Sequence, residues 1–223
     1  IVHGKLKGRE RLKQEAESLF GSDDSSMMVV VWRETETPGH ALELAKEACI
    51  EHSNYIVAVG GDGTVNEVVN GIMRARQVDS DSLETISDVV LCVVPAGTAN
   101  DFATHTLNVP LSSSSQLLTN LKEDLMNEKT RDIDIGQVQF VSPQGITQTR
   151  YFINIADVGI GGEVVMKMAN SNKLFTGRIS YILAVLKTLF TFRRQRVQVT
   201  CPEFEFAGEC LAVVMANGRA FGG

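Results

Sequence analysis

The 223-residue chain is 43% hydrophobic and 22% charged, with a formal net charge of −6. These are the proportions of an ordinary soluble globular protein long enough for one large domain or two small ones. The negative balance and the lack of a basic stripe argue against a nucleic-acid binder, and no apolar stretch behind a basic start reads as a signal peptide.

Ile1-Val2-His3-Gly4-Lys5 reads as the end of a strand and a glycine turn. Arg9 to Phe20 follows as a charged helix with a thin apolar stripe of Leu12, Ala16 and Leu19. A loop, Gly21 to Ser26, leads to a short apolar run, Met27 to Trp32, which reads as a second strand, and then to the polar loop Thr35 to Gly39. From His40 onward Ala41, Leu44, Ala45 and Ala48 recur at i, i+3, i+4 and i+7, the pattern of one helical face. Tyr55 to Val59 has the length and β-branched content of a buried strand and stops at Gly60-Gly61-Asp62-Gly63-Thr64. Val65, Val68, Val69 and Ile72 then share the face of a new helix. After a polar spacer, Asp79 to Asp88, the apolar run Val89 to Val94 also ends in turn residues, Pro95-Ala96-Gly97-Thr98-Ala99-Asn100-Asp101. Such alternation predicts an α/β domain, a parallel sheet covered by helices on both faces.

Leu117, Leu118, Leu121 and Leu125 mark one more helix. Beyond about Thr130 the pattern turns antiparallel: Asp132 to Val141 and Thr147 to Ala156 flank a Ser142-Pro143-Gln144-Gly145 turn, and a parity change near Gly136 predicts a bulge. A boundary there divides the chain into domains 1–130 and 131–223. The stretch from Ile155 to Gly162 carries three glycines, and Arg178 to Phe192 reads as a helix with Ile182, Val185, Leu186 and Leu189 on one face. Val197 to Cys201, Phe204 to Phe206 and Cys210 to Met215 are the remaining strands. Cys49, Cys92, Cys201 and Cys210 have no C-x-x-C spacing and mostly apolar neighbours, so they read as reduced, buried residues of a cytosolic protein rather than zinc ligands.

Both glycine-rich turns lie where parallel strands end, the place where such sheets gather ligands. Unpaired N–H groups at a helix start carry the positive end of its dipole, and glycines let an anion come close to the backbone. Asp62 would repel a bare phosphate, so it needs a cation, a hydroxyl or a proton, and a nucleotide carrying magnesium supplies the first. The loop is neither a Walker A sequence nor a dinucleotide fingerprint, since Asn66 stands where a third glycine belongs.

Gly60-Gly61-Asp62-Gly63-Thr64-Val65-Asn66-Glu67-Val68, followed by Pro95-Ala96-Gly97-Thr98-Ala99-Asn100-Asp101-Phe102-Ala103, resembles the diacylglycerol kinase catalytic-domain family, and within it the bacterial YegS-like lipid kinases. The likeness extends to Asn154-Ile155-Ala156, to Gly177-x-x-Ser180-Tyr181-Ile182 and to Asn217-Gly218-Arg219. It implies a doubly wound, NAD kinase/phosphofructokinase-like nucleotide domain and an antiparallel β-sandwich domain that is only partly present. It also implies ATP- and Mg2+-dependent transfer of the γ-phosphoryl group to a hydroxyl of diacylglycerol or a related glycerolipid such as phosphatidylglycerol. By motif, Gly61, Asp62, Gly63, Thr64, Val65, Asn66 and Glu67 would bind the ATP phosphates, Thr35 and Thr98 would contact the nucleotide, and Asp62 is the catalytic candidate. The implied partners are ATP and a lipid met by transient contact with a membrane surface, from a cytoplasmic, peripheral location.

The sequence departs from the family in two respects. His3 stands where the family usually has Asn, and the chain stops before the segments that hold the family's structural metal site and general base, so no metal ligands are assigned. Both ends read as cut, since Ile1 replaces a methionine and Phe221-Gly222-Gly223 follows an apolar run. Two other readings stay open: another Gly-Gly-Asp-Gly kinase of the NAD kinase kind, or a non-catalytic nucleotide- or lipid-binding regulator, which His3 favours. His3, His40, His52 and His105 are scattered and read as surface or loop residues. Asn154 and Asp157 fit either a cleft between domains or a plain strand-end turn. The helix from Arg178 runs into Arg193-Arg194-Gln195-Arg196; packing on the β domain is the preferred reading, and contact of its basic end with anionic lipid is the alternative.

Overall fold

The structure, a computed structural model, describes residues 1–21, 28–79, 88–110, 112–170 and 178–220, with backbone alone at 78–79, 168–170 and 178–184. Most of the Gly21 to Ser26 loop and of the Asp79 to Asp88 spacer, Met27, Gly177, the side chains of Ser180, Tyr181 and Ile182, and Phe221 to Gly223 lie outside the described residues. Two compact units emerge, Ile1–Asn154 with Asn217–Gly223, and Ile155–Ala216.

In the first unit, β1 (Tyr55–Gly60) pairs in parallel with β2 (Val90–Pro95), from Tyr55↔Val90 to Gly60↔Pro95. On the other side of β1, Val2 bridges Val59 and Glu34, also in parallel. Four segments therefore run side by side in the order Glu34, Val2, β1, β2. Successive side chains of a strand point to opposite faces, and β1 divides accordingly. Ile56 and Ala58 join the core made with α2 (His40–Ile50) and α3 (Asp62–Asp79), whereas Val57 and Val59 join the one made with α1 (Arg9–Gly21) and α4 (Ser114–Met126). Helices thus cover both faces. The predicted faces of α2 (Ala41, Leu44, Ala45, Ala48) and α3 (Val65, Val68, Val69, Ile72) are buried throughout, each large apolar side chain contributing about 1.5–3 kcal/mol.

Three local expectations give way. Met28 to Trp32 forms no strand: Val29, Val30 and Val31 are 88%, 39% and 64% exposed, and the backbone pairing with Val2 begins only at Arg33 and Thr35. High β-propensity makes no ladder where no neighbouring backbone is in reach. The hairpin of β3 (Gly136–Val141) and β4 (Thr147–Phe152) runs unbroken from Gly136↔Phe152 to Val141↔Thr147, with no bulge. The parity change marks the start of the strand, and the Phe152 ring fills the space a side chain at Gly136 would need. Finally, the expected strand Thr147 to Ala156 breaks at Ile153 and Asn154. The hairpin belongs to the first unit, held to α3 by Asn70. That side chain is 2% exposed, donates to the Tyr151 carbonyl at 2.8 Å and accepts the Tyr151 N–H at 3.0 Å. The pattern changes near Thr130, and the compact units divide further on, at Asn154.

In the second unit β5 (Ile155–Gly159) pairs antiparallel with β8 (Ala212–Ala216), and β6 (Gln195–Cys201) with β7 (Phe204–Cys210). Helices α5 (Ile160–Asn170) and α6 (Arg178–Thr191) pack together. The glycines Gly161 and Gly162 concealed α5 from sequence reasoning, because glycine is a poor helix former; the Asp157 carboxylate occupies the space above Gly161. Cys49 and Cys92 are buried as expected, but Cys201 and Cys210 are half-buried. They sit on the two-stranded β6–β7 pair, which has no second layer over it among the described residues.

Candidate functional site

The register Gly60↔Pro95 puts the two glycine-rich turns side by side at the ends of β1 and β2. They touch: a Cβ added to Gly61 would come within 3.0 Å of the Gly97 Cα, so each position needs a glycine for the other's sake. The second turn is closed by Asn100, in the left-handed conformation at φ 58, which Asn tolerates better than most residues. Its side chain accepts the Gly97 N–H at 2.8 Å and donates to the Gly97 carbonyl at 3.1 Å.

Asp62 joins the two turns. Its Oδ2 accepts the Asp101 N–H at 3.2 Å and its Oδ1 the Phe102 N–H at 3.0 Å, at the start of the π-helical turn Phe102–Thr106. The positive end of that turn manages the aspartate's charge from within the protein. Glu67 acts in a similar way further along α3. Its two oxygens accept the N–H groups of Gly39 at 2.9 Å and Ala41 at 3.2 Å, satisfying the start of α2, whose N-cap Gly39 (φ 86) has no side chain to do so. Thr35 Oγ1 accepts the Gly4 N–H at 3.1 Å, which links the Gly4 turn to the loop before α2.

Together these loops border one cavity of about 670 Å³. Of the residues singled out from the sequence, Thr35, Gly61, Gly63, Thr64, Glu67 and Thr98 line it. Asp62, Val65 and Asn66 do not. Val65 is 2% exposed and belongs to the α2–α3 core, so its place in the motif is one of packing. Asn66 is exposed, and its carbonyl accepts from Asn70 at 2.8 Å. Sequence reasoning overlooked Lys5 and Lys7, which lie on the cavity wall beside His3. Their signal was present in the sequence: two cations next to the Gly4 turn with no acidic residue between them. Among the described residues neither is ion-paired, and no group of three or more His, Cys, Asp or Glu could hold a metal. In β2, Cys92 is no nucleophile, because burial and then the Asp124 carboxylate push its thiol up to about 11.

A family model for the diacylglycerol kinase catalytic domain matches residues 2–138. The chain is 29% identical over 223 residues to the "Probable lipid kinase YegS-like" of Serratia proteamaculans (strain 568), covering all of this chain and 65% of that protein. It is also 29% identical over 223 residues to the "Diacylglycerol kinase" of Bacillus subtilis (strain 168), of which 66% is covered. The chain therefore spans about two thirds of the length of these curated relatives. A crystal structure of "a putative diacylglycerol kinase" from Bacillus anthracis str. Sterne has the same fold, with a TM-score of 0.62 at 21% identity over 99% of this chain and 64% of that one.

Proposed function

The chain belongs to the diacylglycerol kinase catalytic-domain family, and from that premise we propose that the protein is an ATP- and Mg2+-dependent lipid kinase. The γ-phosphoryl group goes to a hydroxyl of diacylglycerol or a related glycerolipid such as phosphatidylglycerol. The observation that carries this reading is the contact of the Gly61 and Gly97 turns on the wall of a cavity that also presents Lys5 and Lys7. Phosphoryl transfer asks the protein mainly to position groups and neutralise charge. The N–H groups of the first turn of α3, ahead of the first helical bond from Val65 to Gly61, have no partner within the helix, and with two lysines they suit a triphosphate.

Mg2+ bound to the nucleotide would neutralise the charge that develops on the phosphates. It needs only one or two protein carboxylates besides phosphate and water. Asp62 does not line the cavity, so it would meet the ion only through a bridging water; each of its oxygens accepts one N–H in the pairs described and keeps a lone pair for that water. Thr35 and Thr98 are the nucleotide-contacting hydroxyls of this reading. Residues 1–130 act as the doubly wound nucleotide domain and 131–223 as a portion of an antiparallel sandwich that takes the lipid, in a cytoplasmic protein peripheral to the membrane.

The test is incubation of the full-length protein with labelled ATP, Mg2+ and a lipid panel, with NAD and fructose 6-phosphate in parallel. Label in a glycerolipid is the expected result, and label only in NADP or a sugar phosphate sinks the proposal. ATP binding without transfer to any acceptor would favour the regulator, a reading that His3, on the cavity wall in place of the family's Asn, supports.

A further inference from the structure

We propose that the C-terminal end of α6 and the turn after it form a docking face for the anionic surface of a lipid bilayer. Leu186, Leu189 and Phe190 are 47%, 48% and 89% exposed, while Thr188 is fully buried. At about 100° of rotation per residue the three apolar side chains fall within one arc of α6, and Thr188 lies roughly opposite. The C-terminal end of the helix therefore packs through Thr188 and turns Leu186, Leu189 and Phe190 outward, the reverse of what burial would favour.

Charge identifies the occupant. Residues 178–202 contain Arg178, Lys187, Arg193, Arg194 and Arg196 and no acidic residue, in a chain of net charge −6. Lys187, Arg193 and Arg194 are exposed, and none is ion-paired among the described residues. Acidic groups of the same unit are otherwise placed: Glu163 of α5 holds Lys167 at 3.5 Å, Glu209 of β7 stands across from Arg196 in the strand register, and Glu205 stands across from Thr200. An apolar face beside free cations is what an interfacial helix offers an anionic membrane. A second copy of the chain fits poorly, because a two-fold contact would set these cations against themselves. At 14 residues, α6 is too short to cross a bilayer, which needs ~20, so it lies on the surface.

The experiment is co-sedimentation of the full chain with phosphatidylcholine vesicles containing phosphatidylglycerol, and with pure phosphatidylcholine, at low and high salt. Binding needs no turnover, so its outcome is separate from that of the kinase assay. The chain should pellet with the anionic vesicles only, and salt should release it. Arg193→Gln with Arg194→Gln should weaken binding about 25-fold, about fivefold per charge, with an unchanged circular dichroism spectrum. Phe190→Ser should weaken it about tenfold. No pelleting, equal pelleting with neutral vesicles, or full binding by both variants overturns the proposal. So does a Phe190→Ser variant that loses only a dimer seen by sedimentation velocity.

Discussion

Replacing Asp62 by Asn keeps the shape of the side chain but leaves one acceptor oxygen for two amides, those of Asp101 and Phe102. A buried donor left without a partner costs about 1–3 kcal/mol. Asp62→Asn is therefore expected to lower the unfolding free energy in urea by that amount, to weaken ATP binding as the second turn loses its tether, and to abolish transfer. Native ATP affinity measured by calorimetry would separate the tether from the nucleotide site. Cys92 gives a prediction of opposite character. Its thiol stands at 9.0 when unperturbed and at about 11 in the fold, so the unfolded chain loses its proton first. The stability it supports is complete below pH 9.0, declines as pH rises and is gone by about 11, at about 1.4 kcal/mol per pH unit. Urea midpoints at pH 8 and in that window should fall for the parent chain and less steeply for Cys92→Ala. Residues of this kind were legible as types but not as partners. The sequence marks Asn100 as a turn former, yet only the coordinates show that it closes on Gly97. Val65 stands inside a binding motif and serves the core.

Periodicity made α2 and α3 readable because both bury one face in a shared core. What fixes the start of α2 is another matter: the carboxylate that caps it comes from Glu67 on α3, far away in sequence. Glu67→Ala should cost about 0.5–2 kcal/mol, the range for a lost N-cap, and should raise the KM for ATP more than it lowers kcat, since the Thr35 loop borders the cavity. Glu67→Gln, which keeps one acceptor, should restore some of both. A KM unchanged in Glu67→Ala would confine Glu67 to helix stability. Asn70 makes the parallel case between α3 and β4: Asn70→Ala strands the Tyr151 N–H and carbonyl in a buried place and is expected to cost about 2–4 kcal/mol in thermal or urea unfolding. Elements that depend on such distant partners escape a linear reading. Val29 to Val31 have the composition of a strand and no paired neighbour among the described residues, and α5 forms despite its glycines, with Asp157 over its first turn.

At the scale of the whole molecule, the first unit is discontinuous: the chain leaves it after Asn154 and rejoins it at Asn217. Those two points are neighbours, for the Asn154 carbonyl accepts the N–H groups of Asn217 at 2.8 Å and Gly218 at 2.6 Å. The Asn217 side chain fastens the return to the carbonyls of Asp134 at 2.7 Å and Ile153 at 3.0 Å. Replacing residues 155–216 by a short Gly-Ser bridge is accordingly expected to leave ATP affinity within about threefold, a difference below ~1 kcal/mol, because every residue lining the cavity lies in the first unit. A bridged chain that no longer folds would mean that the first unit depends on its insert. In evolutionary terms, an insert whose two junctions meet at one pair of hydrogen bonds is a cassette. Such a segment could be exchanged as a block while the two glycine-rich turns and the register of β1 on β2 stay untouched.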